Sequence, residues 1–169
     1  DGDRKEVIIQ AAHRSPFDHA VRQTGAKLVV IGTREHIAHE HLELAINSST
    51  VAMIYVHDTH LPAVTLPFDQ VVDICHSAGV PIVVDTAAEL PPSSNLQKFL
   101  KKGADLVVFA GGKGLHGPQS SGIILGRKDL IEACALNCAP NANTIGRPMK
   151  AGKEEIMGLL KAAGMGNPS

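Results

Sequence analysis

The sequence predicts an α/β fold in which a mostly parallel sheet is flanked by helices. Short β-branched runs alternate with amphipathic stretches, and glycine and proline separate the two, as is typical of alternating strands and helices. Each run is apolar on both faces, which favours parallel strands covered by helices. The 169 residues, 44% apolar and 20% charged, are sufficient for a packed core without disulfides or metal.

Six runs are the candidate strands of this sheet. All are rich in valine and isoleucine, and each ends near glycine, proline or a polar residue. They are residues 7–9, 27–31, 51–56, 81–85, 105–109 and 122–125.

Helices are predicted between these strands. In the stretch 67–78, Pro67 suits a first turn, Phe68 and Val71 begin an apolar face, and Gly79 ends the helix. In the stretch 95–102, Asn95 is a candidate N-cap. Further helices are predicted at 17–24, at 35–46 and at 153–163.

The composition changes at residues 137–152, which are rich in asparagine, proline and glycine and lack periodicity. We therefore expect one large domain at 1–136, and a loop and helix at 137–169 that lead toward a second domain largely outside this chain. The first residue is not methionine, so we expect a piece of a longer protein.

Charge and composition argue against several classes of function. The formal net charge is −1, which provides no broad attraction to nucleic acid or anionic lipid. Aromatic residues are 3% of the chain, too few for base-stacking platforms. No apolar run approaches the roughly 20 residues of a membrane span. The first ten residues lack a signal-peptide pattern, and the three cysteines are an odd number, so we expect a cytoplasmic protein.

Two residues that follow predicted strands are candidates for chemistry, because ligands of parallel α/β sheets collect at the carboxyl ends of the strands. Asp85 ends the strand at 81–85, where it could instead cap the next loop. Lys113 lies in the glycine-rich GGKG that follows the strand at 105–109, where it could instead be a solvated side chain. The segment is not a Walker phosphate loop, which would require glycine in place of Val107 and a hydroxyl residue in place of Gly114.

Together, these two residues suit pyridoxal 5′-phosphate (PLP). Lys113 follows Asp85 by 28 positions, one predicted helix and one predicted strand later. PLP requires a lysine amine for a Schiff base and a carboxylate that keeps its pyridine nitrogen protonated. We therefore expect the two side chains to lie at opposite ends of one cofactor ring.

Four segments also resemble a known family. HRSPFDHAVRQTGAKLVVIG, GVPIVVDTAAELPP, FAGGKGLHGPQSSGIILGRKDLI and TIGRPMKAGKEEIMGLL are similar to the selenocysteine-synthase-like branch of fold-type I PLP enzymes. Within that branch the sequence resembles the D-glucosaminate-6-phosphate ammonia-lyase group most, with bacterial L-seryl-tRNA selenium transferase as a relative. The resemblance covers nearly the whole chain, and GGKG…GPQSSG is its most specific part.

The resemblance implies roles for individual residues. Lys113 matches the Schiff-base lysine, and Asp85 matches the partner of the pyridine nitrogen. Gly112, which precedes Lys113, is expected among the cofactor-binding residues. His13, after the first strand, is expected near the cofactor or substrate, or is a satisfied loop residue. Arg147 resembles a residue that holds a substrate carboxylate or phosphate, with a surface ion pair as its alternative.

The sequence departs from the family at two points. The position of Ala110 more often carries a serine that helps to hold the cofactor phosphate. Fold-type I enzymes are also considerably longer than this chain, so the upstream phosphate-binding turn and most of the small domain are expected elsewhere. We expect the isolated 169-residue chain to be inactive.

The resemblance implies a PLP-dependent lyase that eliminates ammonia from an amino acid or amino-sugar acid, in a homo-oligomer. A selenium transferase acting on seryl-tRNA is an alternative, against which the near-neutral charge argues. A non-catalytic α/β module that binds no cofactor is another.

Other polar clusters give weaker signals. His36, His39 and His41 are typical of a solvated helix face, and no metal site is expected. His57 and His60 are expected in a loop after a strand, Cys134 and Cys138 are expected to be reduced, and Ser120 and Ser121 are expected in a turn.

Overall fold

The computed structural model describes residues 5–57 and 64–164. The chain divides into two compact units. The first contains Asp1–Asp85 and Lys102–Ala104, and the second contains Thr86–Lys101 and Asp105–Ser169.

The first unit contains four parallel strands in the order β2-β1-β3-β4. Ile8 of β1 pairs with Val29 of β2 on one side and with Met53 of β3 on the other. The strands are β1 (Glu6–Gln10), β2 (Lys27–Ile31), β3 (Thr50–Val56) and β4 (Ile82–Asp85). Three helices belong to the same unit: α1 (His19–Gln23), α2 (His39–Ala45) and α3 (Phe68–Ser77).

The second unit contains two antiparallel strands, β5 (Leu106–Ala110) and β6 (Gly122–Gly126). It also contains α4 (Lys128–Leu136) and α5 (Lys153–Ala162). All six strands belong to one mostly parallel sheet, so the predicted fold class is confirmed.

Each predicted strand is present, and no strand bound differs from its prediction by more than one residue. The last strand differs in its surroundings, because β6 alternates between exposed and half-buried residues and Ile124 is 44% exposed. The helix α4 was not among the predicted helices. The loop predicted at 137–152 contains only turns and one isolated bridge between Cys138 and Gly146.

The predicted helix at 95–102 is wrong. Two short 3-10 turns, Ser93–Gln97 and Leu100–Lys102, occupy this stretch. The Asn95 side chain does not cap a helix there: its amide donates to the carbonyl of Glu89 at 2.6 Å. This tie to the preceding loop competes with a regular α-helix in so short a segment.

Large apolar side chains that are almost fully buried form the core of each unit. In the first unit they include Ile8, Leu42, Met53, Val71 and Ile82. Each such side chain contributes roughly 1.5–3 kcal/mol when it leaves water. The core of the second unit includes Phe99, Val107 and Phe109.

An ion pair closes the β5–β6 hairpin in the second unit. Arg127 follows β6, and its backbone N–H donates to the carbonyl of Asp105 at 2.9 Å. Its guanidinium contacts the buried Asp105 carboxylate at 3.0 Å and the exposed Asp129 carboxylate at 2.6 Å. Hydrogen bonds to the two carboxylates raise the pKa of Arg127, and its guanidinium lowers the pKa of Asp129.

Over residues 5–57 and 64–164, we find no helix with the length and apolar content needed to cross a bilayer.

Candidate functional site

One group of candidate residues lies at the carboxyl ends of three parallel strands, within the first unit. Asp85 is the last residue of β4 and is half-buried. It stands opposite Val56, the last residue of β3, and its carbonyl accepts the N–H of His57 at 2.8 Å. The structure therefore places the Asp85 carboxylate at the edge of the sheet where ligands of this fold class bind.

His13 lies at the same edge, in the 3-10 turn Ala11–His13 that directly follows β1. Its side chain is 2% exposed. The imidazole Nδ1 accepts the backbone N–H of Val56 at 3.3 Å, and the ring packs edge-on against Tyr55 with centroids 4.7 Å apart. Burial, assisted by His57, lowers the pKa of His13 from 6.5 to about 4, so the ring is neutral at physiological pH.

Two further polar side chains complete this buried cluster, which the sequence did not predict. Gln10 is fully buried, and its Oε1 accepts the N–H of Leu66 at 2.7 Å. Tyr55 donates its hydroxyl to the carbonyl of Leu66 at 3.4 Å, and burial raises its pKa. A glutamine at the end of an apolar strand is a signal that could have identified the cluster, because a buried amide requires partners.

A second group of candidate residues lies within the second unit, in the glycine-rich loop that follows β5. Its ends are tied together: Gly111 donates its N–H to Ser121 at 2.9 Å, and Gly117 donates its N–H to Gly111 at 2.9 Å. At the tip, the N–H of His116 donates to the carbonyl of Lys113 at 2.8 Å. The Lys113 side chain is exposed on this hydrogen-bonded turn.

Two close approaches show why the loop requires glycine. A β-carbon on Gly112 would lie 2.7 Å from Cα of Gln119, whose side-chain amide donates to the Gly112 carbonyl at 3.0 Å. A β-carbon on Gly114 would overlap the carbonyl oxygen of Leu90. Gln119 is thus a contact of the loop that sequence reasoning left without a role.

The segment after β4 is anchored beside β5 within the second unit. Thr86 is fully buried, and both its N–H and its hydroxyl donate to the carbonyl of Val108, at 3.0 and 2.9 Å. Ala110, which replaces the serine of the family pattern, donates its N–H to Ala87 at 3.3 Å.

The remaining predicted residues lie on the surface or in turns. Arg147 is exposed in the loop after α4, its N–H donates to Thr144 at 3.2 Å, and it forms no ion pair with any residue the structure describes. The Ser121 hydroxyl donates to Pro118 at 2.6 Å, as expected of a turn, and Ser120 is exposed. His60 lies outside the described residues.

One of the three histidines at 36–41 is not part of a solvated face. His41 is half-buried, and its Nδ1 accepts the N–H of Ala38 at 2.9 Å at the start of α2. His36 and His39 are exposed as predicted. Residues 5–57 and 64–164 contain no group of three or more histidine, cysteine, aspartate or glutamate side chains that could hold a metal ion.

The two neighbouring cysteines are free. Burial raises the pKa of Cys134, and Cys138 is exposed beyond the end of α4.

Comparison with known proteins decides the family. The sequence model of the L-seryl-tRNA selenium transferase family matches residues 4–161. The chain belongs to this family. A 5′-C-glycyluridine monooxygenase-decarboxylase of Streptomyces sp. is 35% identical over 171 residues, which cover 95% of this chain and 40% of that protein. A D-glucosaminate-6-phosphate ammonia lyase of Salmonella typhimurium is 34% identical over 166 residues, which cover 95% of this chain and 42% of that protein.

Solved structures agree with this assignment. A structure of D-glucosaminate-6-phosphate ammonia-lyase superposes with a TM-score of 0.85 at 34% identity, over 96% of this chain and 43% of that one. A structure titled SPT that contains PLP superposes with a TM-score of 0.70 at 16% identity, over 96% and 41%, which supports the fold alone. The chain spans about two fifths of the length of these relatives.

Proposed function

We propose that the protein is a PLP-dependent lyase of the ammonia-lyase type that acts on an amino acid or amino-sugar acid. The observation that supports this most is the loop after β5, which presents the exposed Lys113 on a backbone held by hydrogen bonds at both ends. The 34% identity to D-glucosaminate-6-phosphate ammonia lyase supports the substrate class.

The residues present fit PLP by their chemistry. The cofactor requires an amine on a fixed support and a carboxylate. Asp85 is the last residue of β4, and Lys113 lies in the loop that follows β5. When bound, PLP supplies an electron sink that stabilises negative charge on the α-carbon of an amino acid. In this proposal, the Asp85 carboxylate keeps the pyridine nitrogen protonated, and Lys113 holds the cofactor.

The chain's own residues then handle protons and orient the substrate. When the substrate amine displaces Lys113 from the cofactor, the freed Lys113 amine can remove the proton from the substrate α-carbon as a base, because the turn holds it near that atom. Arg147 binds a carboxylate or phosphate of the substrate through its planar pair of donors. On a substrate with a β-hydroxyl group, that group leaves as water, and hydrolysis of the resulting enamine then releases ammonia and leaves a keto acid, so no oxidant is needed.

A selenium transferase reaction on seryl-tRNA is the second candidate, favoured by the family model over residues 4–161. The formal net charge of −1 argues against this candidate, because it gives the chain no overall attraction to tRNA. The third candidate, a non-catalytic module, is favoured by Ala110, which has no hydroxyl for a phosphate.

The proposal has three further parts. The protein acts in the cytoplasm, it assembles as a homo-oligomer, and residues 1–136 form its cofactor domain, with 137–169 leading toward the small domain.

The test is a titration of the full-length protein with PLP, followed by visible absorbance, for the wild type, Lys113→Ala and Asp85→Asn. We expect binding with a distinct band in the wild type, loss of that band in Lys113→Ala, and weaker binding in Asp85→Asn. Ammonia release from D-glucosaminate 6-phosphate is then compared with turnover of seryl-tRNA. Turnover of seryl-tRNA alone would replace the lyase by the second candidate, and absence of PLP binding would favour the third.

A further inference from the structure

The buried cluster at the ends of β1 and β3 fixes the proton of His13. A backbone N–H can only donate, so the contact from Leu66 at 2.7 Å identifies the Gln10 atom facing it as the acceptor Oε1. The other end of the same amide, Nε2, then lies 3.4 Å from Nδ1 of His13. Because an amide nitrogen only donates, Nδ1 of His13 must accept.

A second hydrogen-bond donor also requires Nδ1 of His13 to be an acceptor. The backbone N–H of Val56 points at Nδ1 of His13 at 3.3 Å. Two donors on one ring nitrogen exclude a proton there, so a neutral His13 carries its proton on Nε2. The low pKa of about 4 agrees with a neutral ring.

Nε2, the other ring nitrogen of His13, has no hydrogen-bond partner among the described residues. The side-chain hydrogen bonds that His13 forms with those residues all end on Nδ1. Yet every fully buried side-chain nitrogen or oxygen in the described ranges has a partner. The Nε2–H group is therefore not fully buried, and it accounts for part of the 2% of His13 that remains exposed in the turn directly after β1.

We propose that His13 is a fixed hydrogen-bond donor to an oxygen of the bound small molecule, and that Gln10 is the positioning residue that holds it in this tautomer. The identity of the small molecule rests on the proposed function, and its oxygen belongs either to PLP or to the substrate. A neutral donor of this kind binds an acceptor without moving a proton, so His13 is not the base.

The tautomer is tested in the full-length protein without any ligand. Histidine is labelled with ¹⁵N, and the His13 signals are assigned by their loss in His13→Asn or His13→Gln. We expect an unprotonated Nδ1 and a protonated Nε2 at neutral pH. Gln10→Glu, which keeps an acceptor for Leu66 but loses the donor to His13, should move the proton toward Nδ1 or charge the ring. A protonated Nδ1 in the wild type would overturn the proposal.

The donor role is tested by two matched variants. His13→Asn keeps an oxygen near the position of Nδ1 but has no group near Nε2, whereas His13→Gln places an amide near Nε2. We expect about five- to tenfold weaker binding of the ligand to His13→Asn, with recovery to within about twofold in His13→Gln. Wild-type affinity in His13→Asn would contradict the proposal.

Sequential additions distinguish the two sources of the oxygen. PLP is added first and D-glucosaminate 6-phosphate second, and the Nε2 resonance of His13 is followed. A shift at the first addition assigns the oxygen to the cofactor, and a shift at the second assigns it to the substrate. If absorbance shows that PLP has bound and the Nε2 resonance shifts at neither addition, the donor role is overturned. If PLP does not bind, the proposed function is contradicted, and the tautomer result still stands.

Discussion

The side chain of Gln119 occupies the space that a β-carbon on Gly112 would need. Cδ of Gln119 would lie 2.5 Å and its Cα 2.7 Å from such a carbon. The amide of Gln119 also donates to the Gly112 carbonyl at 3.0 Å, so the contact is a hydrogen bond as well as a steric limit. Gly112, the residue before Lys113, is thereby held against Gln119 in the returning part of the same loop.

Gly112→Ala should reduce binding of PLP, because the methyl group must displace Gln119 and with it the turn that presents Lys113. We expect a loss of about tenfold in PLP affinity, with destabilisation of about 1–3 kcal/mol. The measurements are PLP titration and urea unfolding. Ser120→Ala, an exposed position of the same loop, is the control and should bind PLP as the wild type does. Equal affinity of Gly112→Ala and wild type would show that the loop does not need this contact.

The stability of the protein should fall as the pH falls from about 6.5 to about 4. In the folded protein burial and His57 lower the pKa of His13, so the unfolded chain binds this proton more readily. Stability contributed by neutral His13 is therefore fully present above about pH 6.5, and the total loss below it is roughly 3 kcal/mol.

This contribution is measured by urea unfolding at about pH 7 and about pH 5. His13→Asn carries no imidazole at this position and should lose less stability than the wild type over the same interval, by about 2 kcal/mol. An equal loss in both proteins would show that His13 does not titrate differently on folding.

Arg127→Ala should lower the melting temperature more than Lys128→Ala. Arg127 contacts the buried carboxylate of Asp105 at the closing end of the β5–β6 hairpin. The Lys128 side chain is 90% exposed, and among the residues that the structure describes its ion pair is with Glu132, at 3.8 Å. Each variant removes one positive charge, at neighbouring positions. A difference between their melting temperatures therefore reports the contact with Asp105 and not the loss of charge. Equal melting temperatures of the two variants would mean that the Arg127–Asp105 ion pair does not contribute to the stability of the fold.

The sequence was sufficient to predict what depends on local pattern. The six strands follow from β-branched runs, and Asp85 and Lys113 were located by their places after two of these runs. The candidate residues at strand ends needed no knowledge of distant contacts.

Contacts between distant segments could not be predicted in the same way. Gln10 meets Leu66 across 56 positions, and nothing in the local pattern of either indicates the other. The 3-10 turns at 93–102 replace a predicted helix because Asn95 bonds back to Glu89, an alternative that apolar spacing does not reveal. Gln119 likewise acquires its role from the folded loop.

Covalent trapping tests the central claim most directly. The full-length protein is incubated with PLP, reduced with borohydride, digested, and mapped by mass spectrometry. We predict a pyridoxyl group on Lys113 in the wild type and its absence from Lys113→Arg. A pyridoxyl group on a different lysine, or on none, would contradict the assignment of Lys113 as the residue that holds the cofactor.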